Sequence, residues 1–173
     1  ALGLHVGFTT DAQSLKPETA ALLVRSAVWI RVSLDAATPE VFRHTHGMGP
    51  REFEKVLDNI RLLVRLKRET GSAVTIGVGF ITSDKTKPDI YEFGRLGREL
   101  GADYAQYRPM LRRHGEPEQD YSDSAILEEM LRARAEVAPP ASDILPFSLG
   151  SSRSLSRFGA SATATWVVLK PRL

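Results

Sequence analysis

Ser33 and Asp35 stand two residues apart at the end of the run Val28-Trp29-Ile30-Arg31-Val32-Ser33-Leu34. On an extended strand that spacing points both side chains to one face. A hydroxyl and a carboxylate so placed can grip the diol of a ribose. The same pair can instead do structural work, with Asp35 capping the turn into the next helix and Ser33 bonding to backbone. Both readings are open on the residues alone. Three further groups fall where predicted strands end: Thr9, Thr10 and Asp11; Thr82, Ser83 and Asp84; and Arg108, Met110, Arg112 and Arg113. None joins a histidine, a carboxylate and a nucleophile at a recognisable spacing, so no catalytic residue is assigned.

The histidines point to no metal. His44 and His46 are separated by one residue, which in a helix turns them about 200° apart and denies them a common ligand sphere. His5 and His114 have no companions. Gly77-Val78-Gly79 lies inside a predicted strand with no helix start directly after it, so it does not spell a phosphate loop. Glycines at such positions let another group approach the backbone closely. The chain contains no cysteine. That excludes disulfides, thiolate nucleophiles and any all-thiolate zinc or iron–sulfur site built from this chain.

The elements that must position these groups alternate. Gly3-Leu4-His5-Val6-Gly7-Phe8-Thr9 reads as a strand, and Pro17-Glu18 opens a helix with the apolar body Ala20-Ala21-Leu22-Leu23-Val24. The run from Val28 to Leu34 is nearly continuous in apolar character, as in a parallel strand covered on both faces. Thr38 and Pro39 cap and start the next helix, and His46-Gly47 stops it. A long helix follows from Pro50 to a stop at Gly71; Phe53, Val56, Leu57, Ile60, Leu63 and Val64 step by three and four along one face. A third strand covers 73–81, a helix 88–100, and a fourth strand 104–108. A last helix runs over 124–137, capped by Ser122 or Asp123.

Strand–helix alternation with short connections specifies a parallel α/β sheet with right-handed crossovers. Four units form an arc, too few to close an eight-stranded barrel. The fold expected is therefore a partial parallel (β/α) barrel arc of about four strands with outer helices. One domain is assigned to residues 1–138. Residues 139–173, with Pro139-Pro140 and no clear period, read as a linker or weakly ordered tail, although Trp166-Val167-Val168-Leu169 has strand character.

Composition sets outer limits. The 173 residues suffice for one core, with 42% hydrophobic and 25% charged residues. A formal net charge of +2 and the lack of a basic run interleaved with aromatic residues argue against nucleic acid. No apolar stretch reaches the roughly 20 residues of a membrane span, and the first residues lack the pattern of a secretory signal. A cytoplasmic location is the expectation.

Several of these stretches together resemble the radical S-adenosylmethionine (radical SAM) superfamily. Trp29-Ile30-Arg31-Val32-Ser33-Leu34-Asp35-Ala36 with Thr38-Pro39-Glu40, and the later helix with Asp58-Asn59-Ile60, resemble that family's fourth β/α unit. Gly77-Val78-Gly79-Phe80 resembles its fifth strand and Tyr107-Arg108-Pro109 its sixth. Leu4 through Thr10 is similar to the third, which in many members ends Thr-Asn-Gly where this chain has Thr10-Asp11-Ala12. The similarity covers about residues 1–112. It implies a (β/α)6 partial barrel in which Ser33 and Asp35 contact the ribose of S-adenosylmethionine. Thr10 would lie near the methionine end, and Gly77 and Met110 would flank the adenine and sulfonium. The family's [4Fe–4S] cluster sits in a Cys-x3-Cys-x2-Cys loop after the first strand, which this sequence does not include. The resemblance thus implies a fragment carrying part of the cofactor wall, not competent for radical chemistry alone, with an unspecified small-molecule or peptide substrate. A scaffold domain of the same ancestry and a phosphosugar-binding α/β domain are the alternatives. If a neighbouring strand is missing, the edge of the first strand is exposed and self-association is expected.

Overall fold

The computed structural model describes residues 4–110 and 124–137. The strands are β1 (Gly7–Thr10), β2 (Trp29–Ser33), β3 (Thr75–Thr82) and β4 (Tyr104–Pro109). Between them run α1 (Pro17–Ser26), α2 (Pro39–His46), α3 (Pro50–Thr70) and α4 (Ile90–Glu99), the last preceded by a 3₁₀ turn at Lys87–Asp89; α5 (Ser124–Val137) follows. All pairings are parallel and the strand order is β1-β2-β3-β4. This is the expected α/β arc of four parallel strands. The expected tail at 139–173, the caps at Ser122 and Asp123, and Arg112, Arg113 and His114 lie outside the described residues.

Local chemistry sets the helix ends. The Thr38 side chain accepts from Val41 N at 3.3 Å, and Pro39 occupies the first turn of α2. Gly47 and Gly71 end α2 and α3 in the left-handed region, at φ 70° and 62°, where a side chain would be strained. The helix 88–100 begins later than expected, because Lys87–Asp89 forms a 3₁₀ turn first. There Asp89 is committed elsewhere: its Oδ2 accepts from Ala37 N at 2.6 Å, Thr38 N at 2.7 Å and Thr38 Oγ1 at 3.0 Å. One buried carboxylate thereby ties the start of α4 to the β2–α2 loop.

The core lies between one face of the sheet and the helices. Ile30, Val32, Ile76, Val78, Phe80 and Tyr107 are fully buried there against residues such as Ile60, Leu63 and Phe93. The Tyr107 hydroxyl donates to Ile90 O at 2.8 Å, so the one polar atom of that aromatic cluster is satisfied. The reading of β2 as covered on both faces needs correction. Trp29, Arg31 and Ser33 alternate with Ile30 and Val32 and remain partly or largely exposed. The apolar run concealed this because Trp29 and the alkyl stem of Arg31 count toward apolar character while serving a half-wet surface.

That second face is polar. Register places Thr9, Arg31, Gly77 and Tyr104 side by side, and then Ser33, Gly79 and Gln106. At its N-terminal end the Trp29 ring lies flat on Gly7, where a Cβ would meet the ring at 1.9 Å.

Candidate functional site

The C-terminal ends of β1 and β2 each turn through a left-handed residue that is not glycine, Ala12 at φ 57° and Asp35 at φ 52°. Such conformations cost on the order of 1–2 kcal/mol for a residue with a Cβ, and they collect where a loop is held for a purpose. In the first loop Thr10 Oγ1 accepts from Ala12 N at 2.9 Å, while Asn59 Nδ2 on α3 donates to Ala12 O at 2.6 Å. Asp11 Oδ1 accepts from Gln13 N. Thr10 pairs with Val32, on the helix-facing alternation of the sheet, whereas Thr9 pairs with Arg31 on the open one. Thr9, not Thr10, shares a face with Arg31.

The second loop departs from the simple strand argument. β2 ends at Ser33, and the amides of Leu34 and Asp35 both donate to Gly79 O, at 3.2 and 3.0 Å. With its backbone turned left-handed, Asp35 is no longer in alternation with Ser33. Its Oδ1 crosses to β3 and accepts from Ile81 N at 2.7 Å. Thr38, not Asp35, caps α2. The Ser33 hydroxyl faces the open side without a hydrogen-bond partner among the described residues.

Burial raises the Asp35 carboxyl above its ordinary value of 3.8, opposed by the Ile81 hydrogen bond and by His46, Arg108 and Arg31 nearby. His46 Nε2 donates to Leu34 O at 3.0 Å and stands 4.0 Å from Asp35 Oδ2, with its ring stacked on Phe42. His44 turns away and bonds Glu40 O through Nδ1. The two histidines do not converge. No group of three or more potential metal ligands occurs among the described residues.

The raised Asp35 pKa has a definite sign. An acid whose folded pKa exceeds its unfolded one contributes stability that is fully present below pH 3.8, and that contribution is lost as pH rises through the folded value. The stability of the native chain relative to an Asp35→Asn variant should therefore fall as pH is raised from below 3.8. Denaturant melts of both proteins across pH 3 to 7 check this, and a pH-independent difference would contradict it.

Gly77 and Gly79 differ in access. A Cβ at Gly77 would strike the Tyr104 ring at 2.1 Å, so the group that approaches this glycine is the protein's own tyrosine. At Gly79 the nearest atoms to such a Cβ are Arg31 Cδ at 3.6 Å and Val32 O at 3.7 Å. A Cβ there would make only ordinary contact, and Gly79 itself is buried between Ser33 and Gln106 in register. Met110 follows β4, is exposed, and its amide donates to Thr82 O at 3.2 Å.

Sequence reasoning passed over Arg31 and Gln106. Arg31 Nη1 donates to Gln106 Oε1 at 2.7 Å and Nη2 to Thr9 Oγ1 at 3.3 Å, so one guanidinium reaches across from β2 to β4 and to β1. The available signal was a cation two residues before Ser33 inside an otherwise apolar strand.

The rim offers oxygen groups of the kind that can hydrogen-bond a sugar diol. Ser33 supplies a hydroxyl without a hydrogen-bond partner among the described residues, and Asp35 a carboxylate with one oxygen bonded to Ile81 N. A [4Fe–4S] cluster finds no thiolate in this chain.

No family model and no curated protein sequence matches the chain. A solved structure does, described as the structure of TYW1 with a lysine-pyruvate adduct bound, with a TM-score of 0.64 and 12% sequence identity. The match covers 98% of this chain and 49% of that one, so the chain spans about half the length of the structure it resembles. TYW1 is a radical SAM enzyme, and the four-stranded arc described above shares its fold.

Proposed function

We propose that this chain contributes part of the S-adenosylmethionine-binding wall of a radical SAM enzyme and is not competent for radical chemistry alone. The observation that carries the reading is the C-terminal rim of β2 and β3. There a Ser33 hydroxyl with no partner among the described residues and the Asp35 carboxylate stand beside Gly79, in register with one and bonded by the amide of the other, on a fold shared with a radical SAM enzyme. Ser33 and Asp35 take the ribose hydroxyls. Met110 and the Tyr104 ring laid over Gly77 flank the base and sulfonium. The Thr10 loop, held by Asn59, closes the methionine side. S-adenosylmethionine bound against a cluster would supply the radical chemistry. The cluster's thiolates must come from polypeptide other than these 173 residues, since they include no cysteine. The residues here bind and orient.

In this reading residues 1–138 form the barrel unit and 139–173 an appendage, in a cytoplasmic protein acting on a small molecule or peptide. No helix among the described residues is long and apolar enough to cross a membrane.

Titrating S-adenosylmethionine into isotope-labelled chain tests the proposal. Saturable amide shifts at Ser33, Asp35 and Gly79 are expected. Their absence at millimolar cofactor would favour a scaffold domain that keeps the fold without the ligand.

Among the described residues β1 pairs only with β2, and Leu4, Val6 and Phe8 near its free edge are exposed. Unprotected edges recruit further strands. The isolated chain is expected to self-associate in sedimentation velocity as concentration rises. A single monomeric species up to about 100 μM would contradict this, since edge pairing of moderate affinity lies well within that range.

A further inference from the structure

The open face carries more positive charge than the cofactor reading uses. Arg31 and Arg108 both project from it: Arg31 is bound to Gln106, and Arg108 lies two residues beyond Gln106 on the same side of β4. Both act electrostatically on Asp35, the carboxylate beside them. Two guanidinium groups thus face one carboxylate, and that carboxylate has an oxygen already committed to Ile81 N. The Nε atoms of Arg31 and Arg108 are the buried side-chain nitrogens and oxygens left without a hydrogen-bond partner among the described residues. Buried donors on charged groups are rarely left unpaired. Two such donors on one patch of one sheet face mark an acceptor still to come.

From this we infer that Arg31 and Arg108 form an oxyanion subsite, which binds the carboxylate or phosphate group of an anionic small molecule other than S-adenosylmethionine. Arginine suits the task because its planar fork offers paired donors to carboxylate and phosphate alike. Gln106 and Thr9 hold the Arg31 plane across the strands through its Nη atoms, while the Arg108 side chain bonds no described residue and its terminal nitrogens are left for the ligand. The inference rests on the open face alone and stands whether or not the cofactor binds there.

Calorimetric titration of the full chain with inorganic phosphate and, separately, succinate tests it. Saturable binding of at least one probe is expected, and the tighter of the two identifies the ligand as a phosphate ester or a carboxylate. Arg108→Gln should weaken that binding about tenfold with an unchanged circular dichroism spectrum, since no side-chain bond of Arg108 to a described residue is lost. Arg31→Lys, which keeps the charge but not the fork, should also weaken it. No saturable binding of either probe, or Arg108→Gln binding as the native chain does, would overturn the inference. A further titration with S-adenosylmethionine separates it from the cofactor reading. Probe binding that persists at saturating cofactor supports a distinct subsite, and competitive displacement assigns the arginines to the cofactor and overturns it. Failure of the cofactor to bind, with the probe still binding, would sink the cofactor reading and leave the subsite standing.

Discussion

Replacing Asp89 by alanine is expected to lower the unfolding free energy by about 3 kcal/mol. The carboxylate is buried and accepts from two backbone amides and one hydroxyl in a neighbouring loop. Hydrogen bonds to a charged acceptor are worth about 1.5–3 kcal/mol, and each buried donor left unpaired costs about 1–3 kcal/mol. Partial relaxation and water entry keep the total below their sum. The expected loss falls on the β2–α2 loop, because Ala37 and Thr38 lie two and three residues beyond Asp35. Denaturant unfolding checks the magnitude. Asp89→Asn is the control, since its amide oxygen keeps one acceptor and should recover part of the loss. A change below about 1 kcal/mol in Asp89→Ala would mean that solvent replaces the carboxylate without penalty, against the burial seen here.

The second large effect concerns ligand binding. Ser33→Ala should weaken S-adenosylmethionine about fivefold while leaving the melting temperature unchanged, because the hydroxyl removed has no partner among the described residues to lose. Asp35→Ala should weaken binding by tenfold or more, as loss of a charge-assisted hydrogen bond of about 1.5–3 kcal/mol implies. It should also destabilise the fold, since Ile81 N then loses its acceptor. The contrast between the two variants is the informative part. If Ser33→Ala lowered stability as much as Asp35→Ala, the serine would be a structural residue after all.

Much of the fold could be read from the residues. Helix limits were legible because the signals at Thr38, Pro39, Gly47 and Gly71 are local, acting through a cap, a fixed φ and a left-handed turn. The apolar face of α3 was legible because Phe53, Val56, Ile60, Leu63 and Val64 repeat at the helical period. What stayed hidden depends on distant partners. Nothing near Gly77 announces that the Tyr104 ring will lie on it, and nothing near Ala37 announces Asp89. Asp35 was expected to share a face with Ser33 by strand alternation. The strand stops at Ser33, two residues short of Asp35, and a left-handed turn sends the carboxylate across to β3. Arg31 was legible only as a charge in an apolar run. Its bridging of three strands needed the register.

We propose that the rim of β2 and β3 is where this chain meets S-adenosylmethionine. Intermolecular nuclear Overhauser contacts between the ribose protons of the bound cofactor and the labelled chain test it most directly. Contacts to the Ser33 side chain and the Gly79 α-protons are expected. Contacts confined to the helix-covered side, or to the exposed edge of β1, would contradict it.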